Sequence, residues 1–74
     1  MATAEELKQR IEAGIPGAHA EVQTDDEVHF SARVVAEAFA SLSRVQQHQL
    51  VYGLFEPGEL GGPIHALAIK TETP

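Results

Sequence analysis

The sequence contains no cysteine and no tryptophan, and it has only five basic residues against eleven acidic ones. Without cysteine there is no disulfide, zinc ribbon or thiol nucleophile, so a reducing, cytoplasmic setting is expected. The net charge of −6 argues against broad electrostatic affinity for nucleic-acid backbones or anionic membranes. No run approaches the roughly 20 apolar residues of a membrane span, and the amphipathic, partly acidic N-terminus is unlike a signal or transit peptide.

Length and composition predict one small folded domain covering residues 1–74. A chain of 74 residues has no room for a second core, and an apolar content of 43% supplies enough side chains for one. Because that core is small, we expect a modest stability margin. A domain of this size without catalytic motifs is expected to act by contact with a partner.

The N-terminal half predicts a helix followed by a β-hairpin. Thr3 and Glu6 have the spacing of a capping box, and an apolar stripe then continues until Gly14. Alternating apolar residues over 18–23 and 28–34 predict two strands. The connection between them is short and acidic, so the strands should pair antiparallel.

The C-terminal half predicts two helical segments and a last strand. The first helical segment covers 35–42. Ser43 and Gln46 have capping-box spacing for the second helix, which we expect to continue through Phe55. A loop rich in glycine and proline then leads into an apolar strand over 64–69, followed by a polar tail with no predicted structure.

This order, α-β-β-α-α-β, predicts an α+β fold with a three-stranded mixed sheet and helices packed on one face. The last strand returns after a helical crossover, which favours parallel pairing and a right-handed connection. The predicted core residues are Leu7, Ile11, Phe30, Val34, Phe39, Val51, Leu54, Leu67 and Ile69.

Three stretches together resemble the BolA family: His29-Phe30, residues 43–52 (SRVQQHQLVY) and residues 61–69 (GGPIHALAI). The resemblance covers nearly the whole chain from Thr3 onward. It implies a KH-like fold and a non-enzymatic partner of monothiol glutaredoxins in iron–sulfur cluster trafficking and iron regulation. In such heterodimers a [2Fe–2S] cluster is bridged between the two proteins and glutathione. Some bacterial members also resemble transcription regulators.

His65 is the first candidate ligand. It follows the Gly-Gly-Pro segment at the start of the last strand, and alternation places it on one face with Leu67 and Ile69, at the edge of the core. A neutral imidazole held in this way is a suitable ligand for iron. The pattern alone favours a structural histidine over a ligand. The resemblance favours the ligand, because His65 matches the position that family members use for cluster ligation.

His29 is the candidate for a second imidazole. Alternation turns it away from Phe30, and the alternative is an exposed strand histidine with a local hydrogen bond. The family often has a Cys or His ligand in a longer loop between the first two strands, whereas residues 24–27 (TDDE) offer neither. Asp25 and Asp26 are hard oxygen donors, and we expect them to form the turn instead.

The number of donors also implies a partner. A [2Fe–2S] cluster takes about four terminal ligands, usually thiolates, with His₂Cys₂ sets in Rieske centres. The chain has no thiolate, so any sulfur ligands would come from a glutaredoxin cysteine and glutathione. Alone, the domain is expected to hold no cluster.

Five further residues are candidates for the partner-binding surface: Arg44, His48, Tyr52, Gly61 and Gly62. The three side chains also have simpler explanations. Arg44 fits a solvated residue, His48 a packed ring with one hydrogen bond, and Tyr52 the edge of the core.

The alternative function is a nucleic-acid-binding transcriptional regulator that uses the KH-like or helix-turn-helix surface. Against it, the turn between the helices has no GxxG clamp. Arg33, Arg44 and Lys70 are the only basic residues beyond the first helix, too few for a stripe of phosphates. The histidine spacings do not fit a structural zinc site, and no nucleophile elbow indicates an enzyme.

Overall fold

The computed structural model describes residues 2–74. Its elements, in chain order, are α1 (Ala4–Gly14), β1 (His19–Thr24), β2 (His29–Val35), a 3-10 helix (Glu37–Ser41), α2 (Arg44–Tyr52) and β3 (Ala66–Glu72). The predicted order is therefore present, with a 3-10 helix as the first of the two later helical segments. Over residues 2–74, no helix combines the length and the apolar character needed to cross a membrane.

The three strands form one sheet in the order β1-β2-β3. β1 is antiparallel to β2, and β3 is parallel to β2 with His29 opposite Ala66. The helices α1 and α2 pack against β1 and β3. Along β2 the side chains alternate between buried and exposed, so one sheet face contacts the core and the other is open. The predicted α+β fold with a mixed sheet is confirmed.

The core contains most of the predicted residues and two isoleucines that were not predicted. Leu54 and Ile69 are only partly buried, whereas the other predicted core residues are buried. Ile15 and Ile64, at 1% and 0% exposure, lie in connections where no periodic pattern marks them. Ile15 is the C-cap of α1: its amide donates to the Ile11 carbonyl (3.1 Å), and its own backbone is extended, so the helix ends there.

Side-chain caps start both α-helices. In α1 the Thr3 hydroxyl accepts from the Glu6 amide (3.1 Å). In α2 the complete capping box forms, because Ser43 Oγ accepts from the Gln46 amide (3.2 Å) and Gln46 Oε1 accepts from the Ser43 amide (3.0 Å). These bonds satisfy amide groups that have no partner inside the helix.

The end of α2 differs from the prediction. The helix ends at Tyr52 rather than Phe55, with Gly53 as its C-cap. The Leu54 and Phe55 amides then donate to the carbonyls three residues earlier (3.1 and 3.2 Å), which tightens the chain into a turn. The sequence predicted a longer helix because apolar residues continue beyond Gly53. Glycine has a low helix propensity, which favours the end of the helix at that position.

The polar tail was wrongly predicted to lack structure, and the strand was placed too early. β3 starts at Ala66 and runs to Glu72, where the Ala36 amide donates to the Glu72 carbonyl (3.0 Å). The Glu72 carboxylate also accepts two bonds from the Arg33 guanidinium (both 3.0 Å). A polar segment joins the sheet here because its charge is paired with the neighbouring strand. The helical segment predicted over 35–42 is also shorter in the structure. Val35 belongs to β2, and the 3-10 helix covers Glu37–Ser41.

The Gln47 side chain connects three elements. Its Nε2 donates to the carbonyls of Phe39 (3.0 Å) and Leu42 (3.1 Å), at the end of the 3-10 helix. Its Oε1 accepts from the hydroxyl of Thr71 in β3 (2.6 Å), and Thr71 is buried at 4% exposure. One amide thus fastens the crossover to the last strand.

Gln47→Leu is expected to lower the free energy of unfolding by about 2–3 kcal/mol, because the Leu42 carbonyl and the buried Thr71 hydroxyl lose their partner, and the Phe39 carbonyl keeps only the Leu42 amide. Urea denaturation followed by circular dichroism measures the loss. Gln49→Leu, at an exposed position of the same helix, is the matched control. Equal stability of the two variants would contradict the structural role of Gln47.

Ser43→Ala is expected to cost about 1 kcal/mol, because the capping box loses its hydroxyl acceptor. The same denaturation experiment applies, with Ser41→Ala at an exposed residue outside the cap as the control. A Ser43→Ala midpoint equal to that of the control would mean that the cap does not stabilise α2.

Candidate functional site

The parallel pairing of β2 with β3 places His29 beside His65. Their ring centroids are 5.6 Å apart and the rings are nearly perpendicular, with an interplanar angle of 87°. His29 is the first residue of β2 and lies opposite Ala66 of β3. His65 directly precedes Ala66 in the sequence. Both side chains are exposed. The two predicted ligands therefore form one accessible pair.

The position of His65 differs from the prediction, which placed its ring at the core edge beside Leu67. The amides of His65 and Ala66 both donate to the Val28 carbonyl (2.8 and 3.2 Å). Successive amides of a regular strand point in opposite directions, so this shared acceptor interrupts the strand at His65. The alternation that buries Leu67 therefore does not extend back to His65, and its side chain is exposed.

Asp26 holds both the hairpin turn and the His29 ring. Its Oδ1 accepts from the amides of Val28 (3.0 Å) and His29 (2.8 Å), which confirms its predicted role in the turn. Its Oδ2 lies 2.7 Å from Nδ1 of His29, so His29 has the local hydrogen bond expected of an exposed strand histidine, with a partner that was not predicted. The three-residue spacing of Asp26 and His29 around a tight turn is the signal that could have revealed it.

The charge state of Asp26 determines which nitrogen of His29 is available. The His29 backbone amide, followed by the His29 ring and the Val28 amide, lowers the pKa of Asp26 well below its usual range. Asp26 is therefore ionised at neutral pH and only accepts hydrogen bonds. In the neutral imidazole, Nδ1 must then carry the hydrogen, and Nε2 keeps the lone pair that a metal requires.

The histidine pair has a separation that suits two metal ligands. Within residues 2–74, no group of three or more His, Cys, Asp or Glu side chains is placed to hold a metal ion. Two imidazoles that share one tetrahedral ion have centroids roughly 5 Å apart, given metal–nitrogen bonds of about 2.1 Å. The observed 5.6 Å is close to this separation. The pair thus has the spacing of two ligands of one metal ion, without a third such donor placed beside them among residues 2–74.

The surface around the pair is open to a docking molecule. The pair lies on the sheet side that the helices leave uncovered. A shallow depression of about 280 Å³ adjoins it, lined by Gln23, Thr24, Asp25, His29, Phe30 and Ser31. A partner can therefore reach the pair without displacing any helix.

Backbone geometry alone explains why residues 61 and 62 are glycines. Gly61 has a φ of +86°, which side chains other than glycine rarely tolerate. A Cβ at Gly62 would collide with the carbonyl oxygen of Gly58. The Gly61 amide donates to the Ile64 carbonyl (2.7 Å), so the loop is folded tightly just before His65. A partner-binding role for these glycines stays a prediction.

The other partner candidates share α2. The rings of His48 and Tyr52 pack edge to face with centroids 6.4 Å apart, and the Tyr52 hydroxyl donates to the Leu67 carbonyl (2.8 Å). Nε2 of His48 is shielded from solvent and has no hydrogen-bond partner among residues 2–74. Arg44 is exposed in the first turn. These residues form a helix surface that touches β3 two residues after His65.

Comparison with known proteins agrees with this architecture. Residues 4–74 match the family model described as BolA-like protein. The chain is 48% identical over 58 residues to human BolA-like protein 1, covering 78% of this chain and 41% of that protein. It is 44% identical over 50 residues to the Arabidopsis thaliana SufE-like protein 1, chloroplastic/mitochondrial, covering 68% of this chain and 13% of that protein. The chain thus spans about two fifths of the human relative.

A solved structure shares the whole fold. The bolA protein homologue from Coxiella burnetii superposes with a TM-score of 0.83 at 33% sequence identity, covering 100% of this chain and 94% of that one. The family model, the identity to the human protein and this shared architecture agree. The chain therefore belongs to the BolA-like family.

Proposed function

We propose that this domain is a non-enzymatic adaptor that binds a monothiol glutaredoxin in the cytoplasm and shares a glutathione-ligated [2Fe–2S] cluster with it. Its role would lie in iron–sulfur cluster assembly or trafficking, or in iron regulation. The observation that carries the proposal is the exposed His29–His65 pair, with Nδ1 of His29 on the Asp26 carboxylate. Membership of the BolA-like family supports it.

The proposal requires donors from two molecules. The chain contributes two imidazoles and has no cysteine. Sets of two histidines and two cysteines exist among [2Fe–2S] proteins, so a glutaredoxin cysteine and the glutathione thiol would complete the set. When bound, the cluster supplies a transferable iron–sulfur unit and a visible chromophore.

Within this chain, His65 is the primary ligand and His29 the second. Asp26 is a positioning residue, because its carboxylate orients the His29 ring and favours the tautomer with a free Nε2. The tight loop before His65 and the shared Val28 carbonyl keep the backbone of both histidines in place. The site therefore needs little rearrangement when a partner docks.

Reconstitution with iron and sulfide tests the ligands. The domain, mixed with a glutathione-loaded monothiol glutaredoxin, is expected to give a heterodimer whose visible absorption and circular dichroism differ from those of the glutaredoxin homodimer. His65→Ala is expected to erase this difference because the primary ligand is lost, and His29→Ala to reduce it. His19→Ala, at an exposed histidine of β1, is the control. An unchanged His65→Ala spectrum would disprove the assignment.

Asp26→Asn tests the positioning role. The asparagine oxygen still accepts from the turn amides, whereas the charge beside His29 Nδ1 is removed. We expect the half-life of the shared cluster to fall about tenfold, as for other partners of metal-binding histidines. Nitrogen chemical shifts of the His29 ring should show a mixture of tautomers in the apo domain. With Asp25→Asn as the control, an unaltered tautomer and cluster half-life would exclude this role.

Nucleic-acid binding remains the alternative function. Four basic side chains lie near carboxylates, at 3.0 Å for Lys8, 2.7 Å for Arg10, 3.0 Å for Arg33 and 3.7 Å for Lys70. These ion pairs leave little unpaired positive charge for phosphates. A salt-sensitive mobility shift of a DNA duplex at about 150 mM salt would favour the alternative.

A further inference from the structure

The outer edge of β3 carries backbone groups that point away from the sheet. The Ala66 amide donates to Val28 (3.2 Å) and the Glu72 carbonyl accepts from Ala36 (3.0 Å), so both residues direct their backbone polar groups toward β2. These groups alternate in direction along a strand. The odd-numbered residues of β3 therefore direct their backbone groups outward: Leu67, Ile69 and Thr71.

This edge is protected at one position only. The Tyr52 hydroxyl occupies the Leu67 carbonyl (2.8 Å), whereas no hydrogen bond within residues 2–74 reaches the backbone of Ile69, Thr71 or Thr73. On the opposite edge, the Glu12 carboxylate accepts from the outward Ala20 amide (3.0 Å). An edge strand with free amides and carbonyls is a template for another strand.

We propose that a second copy of this chain pairs antiparallel with β3 along this edge, with Thr71 on the two-fold axis. Thr71 then lies opposite Thr71 of the second copy, and Ile69 lies opposite Thr73. This register uses the outward backbone groups of Ile69 and Thr71 and extends the strand by one residue to Thr73, directly after β3. The contact is isologous, as in most homodimers.

Charge complementarity selects this register and this occupant. It places Lys70 opposite Glu72 of the second copy, and the symmetry repeats the pair. The Lys70 and Glu72 side chains are 72% and 31% exposed. Directly opposed residues have Cβ atoms about 5 Å apart, within reach of an ion pair. Within one copy, Lys70 Nζ already lies 3.7 Å from the Glu72 carboxylate, which Arg33 also contacts. Centring the pairing on Ile69 would place Lys70 opposite Ala68 of the second copy, with no charge partner across the axis.

An exposed apolar side chain lies beside the proposed axis. Gln47 bonds Thr71, which places the first half of α2 next to the axis. Val45, two residues earlier, is 66% exposed, and it shares a helix flank with Tyr52 two turns away. A second copy would cover Val45. His65 lies roughly 20 Å from Thr71 along the strand, at about 3.3 Å per residue, so the dimer leaves the histidine pair accessible.

Sedimentation equilibrium of the 74-residue chain tests the proposal. We expect a monomer at low concentration and a reversible dimer as the concentration rises toward about 1 mM, since a small interface gives weak association. Lys70→Glu and Glu72→Lys each oppose like charges across the axis, and each is expected to weaken association about tenfold or more. Mixing the two variants should restore a dimer, because both opposed pairs then carry opposite charges.

Lys8→Glu in α1 is the control for Lys70→Glu, because it changes the net charge by the same amount at a position outside β3. Circular dichroism checks folding, since Glu72→Lys also removes the partner of Arg33. If that variant does not fold, Lys70→Glu with Val45→Asp provides the test, and both should weaken the dimer. Three results would overturn the proposal. The wild type could stay monomeric at about 1 mM, or Lys70→Glu could leave the dimer unchanged. The third is a mixture of the two folded variants that associates no better than either variant alone.

Discussion

The parallel pairing of β2 with β3 fixes where the other parts of the molecule lie. It joins segments that are far apart in the sequence and places His29 opposite Ala66. The same register brings Glu72 to the Arg33 guanidinium and turns one backbone edge of β3 outward. Non-local pairing of this kind has a high entropic cost, because the long connection between the two strands must be ordered before they can pair. The crossover must therefore be fastened by side chains.

Polar side chains provide much of that fastening. Gln47 links the 3-10 helix and α2 to buried Thr71, and Tyr52 bonds the first half of β3. Arg10 ties the loop before β3 to α1 through Glu59 (2.7 Å) and lies over the Phe55 ring. In a domain with such a small apolar core, directional bonds at these points specify one arrangement of the crossover. The histidine pair depends on them because His65 lies where that crossover ends.

Local rules predicted much of the fold from sequence, and long-range contacts account for the rest. The caps at Thr3 and Ser43 and the alternation along β2 are local signals, and each corresponds to an element. Ile64 was missed because a buried loop residue follows no period. The strand through Glu72 was missed because its ion pair with β2 is visible only in three dimensions.

The same limit applies to the candidate site. The sequence indicated both histidines individually, His65 with the help of the family resemblance. Their adjacency follows from the register of a parallel pair, which no hairpin turn specifies. The exposure of His65 depends on two amides that share the Val28 carbonyl, an irregularity that leaves no mark in the composition. The Asp26 carboxylate has a turn role and a histidine role at once, and a pattern of residue types shows only the first.

Tyr52 gives the domain a natural optical reporter. It is the sole tyrosine in a chain without tryptophan, so one phenol dominates the near-ultraviolet absorption of the apo protein. Because its hydroxyl donates to the Leu67 carbonyl, the wavelength of that band depends on the contact between α2 and β3. Spectroscopy can therefore follow the contact between helix and strand without any introduced label.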